Sequence, residues 1–101
     1  MKLVGHLDVA QLKVAIAKAD ELLVGDDLRL LVDCAEMGDY DKDARELFTS
    51  WNAETRSRIS KVAIVTDRKL WHMIVHAMAF ASRQVMRPFG EVNEAYAWLE
   101  E

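Results

Sequence analysis

Acidic side chains, one cysteine and a pair of histidines are the residues whose types and spacing could do chemistry in this chain. Asp33, Asp39, Asp41 and Asp43 fall in one short stretch, and Asp67 follows a separate apolar run. Paired carboxylates can hold Mg²⁺ through oxygen ligands. Carboxylates in loops also cap helices, and Asp43 and Asp67 stand where caps belong. Asp33, Asp39 and Asp67 therefore mark an anion- or metal-handling loop only in the sharper of two readings. His72 and His76 are four apart, so they share a helix face, a spacing that can seat a metal. Two ligands do not complete a site, and no Glu or Cys stands at a matching helical position. With Lys69 and Arg83 they read as a solvated strip. Cys34 would need a base to act as a nucleophile, and the candidates His6, His72 and His76 are all remote in sequence. Packing as a small apolar residue is the plainer reading of its thiol. The glycines at 5, 25, 38 and 90 are isolated, so there is no phosphate-cradling loop. No catalytic residue, resident metal or cofactor is expected.

The elements that must position these residues follow from pattern. The chain has 101 residues, enough for one domain over 1–101. Its 13 Lys and Arg against 17 Asp and Glu leave a net charge of −4, which disfavours a nucleic-acid or anionic-membrane binder. Hydrophobic residues make up 51%, too many for a disordered chain, yet no apolar run is long enough to span a membrane. One cysteine excludes an intramolecular disulfide. A cytoplasmic domain is the expectation. Leu28–Asp33 and Lys61–Asp67 are short apolar runs without helical spacing and read as buried strands. Val85–Phe89, closed by Pro88, reads as an edge strand, and Lys2–Leu7 as a further one. Between them lie helical patterns: one opened by Asp8 with Gln11 as a capping box and closed by Gly25, one over Asp43–Thr55, one from Asp67 to Arg83, and one over Val92–Glu100. The order β-α-β-α-β-α-β-α predicts an α/β domain, with a mostly parallel sheet of about four strands joined by helical crossovers.

Several of these segments resemble a known family. The stretch RISKVAIVTDRKLW, then VMRPF, then EAYAWL is similar to the SpoIIAA-like family of small bacterial domains. Trp71, Phe89 and the closing Ala97-Trp98-Leu99 carry the match, and GHLD near the start resembles the family's strand-to-helix entry. The resemblance implies the fold of STAS domains (anti-sigma factor antagonists) and of CRAL-TRIO lipid carriers. It implies a non-enzymatic binding or regulatory module acting through protein contacts, or a carrier of a small apolar or lipid-like ligand. Two departures matter. The chain starts almost on GHLD, so the first strand is expected to be short or missing. The loop expected at 34–43 contains no Ser or Thr, whereas the related antagonists carry a phosphorylatable serine there.

LLVDCAEMGD also resembles the phosphoacceptor strand and loop of a response-regulator receiver, with Asp33 as acceptor. Thr66 and the Arg87-Pro88 pair would then stand for its switch threonine and its Lys-Pro pair. The match fails at Arg87, where a lysine is expected. It also fails at Asp26-Asp27, which stand at the wrong end of a strand to form the acidic pair.

The third helical pattern is the most informative surface. At 100° per residue, its apolar arc spans about 220°, against the ~100° stripe of an ordinary surface helix. Leu70, Ile74, Ala77 and Ala81 are expected to face the sheet. Trp71, Val75 and Met78 on one flank, and Met73 and Phe80 on the other, are then left for a neighbouring helix, an apolar ligand or a partner subunit. A pocket lined by Trp71, Met73, Met78 and Phe80 would mark a carrier; a flat exposed patch would mark an interaction module. A two-fold homodimer through Trp71, Val75 and Met78 is the expected assembly, with a regulatory protein or an apolar small molecule as further possible partners.

Overall fold

The computed structural model describes all 101 residues. Four strands alternate with four helices: β1 (Lys2–Leu7), α1 (Val9–Leu22), β2 (Leu28–Tyr40), α2 (Lys42–Thr55), β3 (Ile59–Val65), α3 (Lys69–Ser82), β4 (Met86–Phe89) and α4 (Val92–Leu99). The strands form one sheet in the order β1-β2-β3-β4, every pair parallel. Because the order is sequential, right-handed crossovers place α1, α2 and α3 on the same face. Leu12 and Ala19 of α1, Ala44, Phe48 and Trp51 of α2, and Val75 of α3 share one core with Leu30, Val32, Val62 and Ile64 of the sheet. The alternate residues of β3, Ala63 and Val65, point to the other face, where Ala95, Trp98 and Leu99 of α4 cover them.

Local chemistry accounts for most boundaries. Asp8 accepts from the Gln11 amide while the Gln11 side chain accepts from the Asp8 amide, the expected capping box. Gly25 does not close α1; Leu23 does, and Gly25 takes φ +101° in the turn that follows. The caps of α2 and α3 are Asp41 and Arg68 rather than Asp43 and Asp67. Arg83 ends α3 in the left-handed conformation with φ +58°, a place glycine usually takes.

Two findings differ more deeply from the sequence reading. The first strand is present, and it pairs with β2 from Lys2↔Asp33 to Leu7↔Tyr40. The segment expected as a loop at 34–43 is therefore strand as far as Tyr40. Pairing with β3 stops at Asp33↔Val65, so Cys34–Tyr40 stands beyond β3 as a two-stranded ribbon with β1. This overhang is irregular: the register slips twice, once on each side of Val4-Gly5, and Gly5 has φ +70°.

Candidate functional site

The overhanging ribbon makes a wall. Leu7 of β1 and Met37 and Tyr40 of β2 lean over the carboxyl ends of the strands, and α2 and α3 close the other sides. Between them is an apolar cavity of ≈ 70 Å³. Its floor is Val32, Cys34 and Ile64, and its helical walls include Phe48, Trp71, Val75 and Met78. The carboxyl ends of parallel strands are the usual place for a site in an α/β sheet. Trp71 stands edge-on to Tyr40 with ring centres 5.4 Å apart. Arg45 is the only charged lining residue. Its guanidinium reaches the Tyr40 hydroxyl at 3.4 Å and lies 5.8 Å from the centre of that ring. Of these lining residues the sequence marks Trp71, Val75 and Met78 as site residues and leaves Tyr40, Arg45 and Phe48 unmarked. The local sign of them is an arginine, Arg45, within a helical pattern whose apolar positions are Ala44, Leu47, Phe48 and Trp51.

The structure turns α3 by one residue, about 100°, from its expected orientation. Trp71, Val75, Met78 and Ser82 face inward; Val75 is only 2% exposed and Ser82 only 1%. Leu70, Ala77 and Ala81, expected on the sheet, are exposed, and Ile74 is half-buried. Val75 is thus core and not a surface for a partner. Ser82 can turn inward because its hydroxyl donates to the Met78 carbonyl at 2.7 Å. The outward stripe is Leu70, Met73, Ala77 and Phe80, with Leu70 76%, Met73 70% and Phe80 89% exposed. The expected site residues therefore divide in two. Trp71, Val75 and Met78 line the cavity, while Met73 and Phe80 lie outside it on the solvent face of the same helix.

The acidic candidates are not brought together. Asp33 lies within β2, paired between Lys2 and Val65, and its Oδ1 accepts from the Ala35 amide. Asp39 accepts from the Tyr40 amide. Asp67 is exposed between β3 and α3. No group of three or more His, Cys, Asp or Glu is placed to hold a metal ion. His72 is half-buried, its Nε2 2.8 Å from the Thr66 carbonyl, while His76 is exposed.

Cys34 is buried. Burial, with a smaller contribution from the Asp33 charge, raises its thiol from 9.0 to about 12. The thiol therefore stays protonated and poorly nucleophilic at neutral pH. A folded-state value above the unfolded one contributes stability that is fully present below pH ~9 and is lost as pH rises toward ~12. The loss amounts to a few kcal/mol at about 1.4 kcal/mol per pH unit. We expect the stability difference between wild type and Cys34→Ala, measured by urea unfolding, to shrink between pH 8 and pH 10.5. A difference that does not change with pH would contradict the assignment.

No helix is long and apolar enough to cross a membrane. No curated protein matches the chain. A crystal structure of a DUF3478-family protein with a SpoIIAA-like fold, from Shewanella loihica PV-4, superposes with a TM-score of 0.77 at 18% identity, covering 97% of this chain and 80% of that one. At that identity the likeness shows the fold. The SpoIIAA-like family profile matches residues 1–100. With four parallel strands and four helices in the matching arrangement, this chain belongs to the SpoIIAA-like family.

Proposed function

We propose that this domain is a non-enzymatic binding and regulatory module that works through protein–protein contacts, without a phosphoacceptor serine, and that it pairs with a second copy of itself. The observation that carries this reading is the outward stripe of α3. Leu70, Met73 and Phe80 together present on the order of 500 Å² of apolar surface, a patch size that is often functional on a monomer. Two such stripes face to face would bury about 1,000 Å², the lower bound of a specific interface. Their spacing of three, four and three residues lets side chains of two helices interdigitate. The sheet edges are poorer candidates. β4 is four residues long and contains Pro88, and β1 is interrupted by register slips and carries the exposed Lys2 and His6.

Sedimentation equilibrium at micromolar concentration tests this. Wild type is expected as a dimer and Phe80→Glu as a folded monomer, since Phe80 is almost fully exposed. A wild-type monomer overturns self-association and leaves the stripe for a different regulatory protein. A dimer that survives Phe80→Glu moves the interface elsewhere.

The cavity supports a second reading, a carrier of a small apolar ligand. Its ≈ 70 Å³ is about half of the ~150 Å³ that accommodates benzene in an engineered protein core. A long lipid chain would therefore need α3 to move away from the ribbon.

A further inference from the structure

We infer that the ligand of the cavity is a small organic anion, a short-chain carboxylic acid, with its head group held by Arg45 and Tyr40. This rests on the carrier reading and names its ligand class. Three observations support it. Twelve of the fourteen lining residues are hydrophobic, and Arg45 is the one charge among them. That charge has no carboxylate partner, since none of the four ion pairs of the molecule includes Arg45. Its one side-chain hydrogen bond is the long one to the Tyr40 oxygen, which leaves the Tyr40 O–H free to donate.

A half-buried guanidinium at an apolar wall is an anchor for a carboxylate, which it can meet with two parallel N–H donors. The Tyr40 hydroxyl adds a third donor from the adjacent wall. Arg68, stacked at 4.7 Å over Trp71, is also outside every ion pair. The apolar interior accepts the tail, and few polar groups remain to fix any other head. This is the usual division of labour in small-molecule sites, where apolar walls give affinity and one or two polar groups set orientation. The void is small, so the tail of an acid enters as the Met37 and Met78 side chains, which are unbranched and adaptable, shift aside, and shorter tails require less displacement.

The test is titration calorimetry with butanoate, hexanoate and octanoate, each against the alcohol of equal length and the alkyl ammonium ion. Trp71 fluorescence provides a second readout. The best acid is expected to bind at least tenfold more tightly than its alcohol, and the ammonium ion not at all. Arg45→Met keeps the apolar stem of the side chain and is expected to erase that preference while leaving alcohol binding and the thermal midpoint within error. Equal binding of acid and alcohol to wild type would overturn the anion assignment and leave the carrier reading standing. Absence of binding by every probe would overturn both. A preference that survives in a folded Arg45→Met protein would overturn the role of Arg45.

Discussion

Val75→Glu is expected to unfold this domain, although it changes one residue on a helix whose neighbours Met73 and His76 are exposed. Val75 is 2% exposed and packs in the main core beneath α3. Losing its burial costs about 1.5–3 kcal/mol. Placing a carboxylate there without a partner adds several kcal/mol more, even when the acid takes up a proton. The sum approaches the whole stability of an ordinary domain, about 5–15 kcal/mol. Far-UV circular dichroism at pH 7 should show a largely unfolded chain, or a urea midpoint near zero. A Val75→Glu protein with the wild-type midpoint would mean that α3 is rotated away from the orientation described. The same variant cannot report on self-association, because dissociation and unfolding would coincide. Phe80→Glu separates them, since its side chain lies on the outward stripe.

Trp98→Ala should cost about 3–5 kcal/mol, the range for truncating a core Trp. Trp98 is 8% exposed, its ring centre 5.5 Å from that of Phe89, with Lys61 and Arg87 over its face. It is the largest side chain joining α4 to the second face of the sheet. At eight residues α4 is too short to persist without that packing. Its last carbonyls depend on the same placement. Arg29 donates to the Leu99 oxygen, and Lys61 donates to the Trp98 oxygen at 3.1 Å. Losing Trp98 therefore loosens the helix end as well as the core. The urea midpoint should fall by about 1–5 M, given slopes of ~1–3 kcal/mol/M for small proteins. Tyr96→Ala is the contrast: Tyr96 is mostly exposed, and its loss should move the midpoint only slightly. Equal effects from the two substitutions would remove α4 from the core.

Much of this architecture is legible in the chain. Asp8 and Gln11 cap a helix through side chains three residues apart, an interaction that needs no distant partner. Val62 to Val65 reads as a strand because β-branched and apolar residues covered on both faces leave no other element to form. The docking of Trp98 and Leu99 is also foreseeable, because large apolar side chains seek cover. Cys34 is buried, as its setting after an apolar run suggests.

Two decisions belong to tertiary structure alone, and they shape both candidate surfaces. The first is the length of β2. Ala35-Glu36-Met37-Gly38-Asp39 has neither apolar continuity nor β-branched residues, so nothing local marks it as strand. It is strand because β1 lies alongside and accepts its hydrogen bonds, and that overhang builds the cavity wall. The second is the rotation of α3. An apolar arc of about 220° has room for two stripes of ~100°, and the residues alone do not say which one meets the sheet. The crossover from β3 to β4 sets that angle. Ser82 can face inward because it satisfies its hydroxyl on the Met78 carbonyl. Trp71 and Met78 thereby reach the cavity, while Leu70, Met73 and Phe80 are left to water. Periodicity carries the width of an apolar face, whereas its phase depends on backbone geometry that exists only once strands and helices have packed.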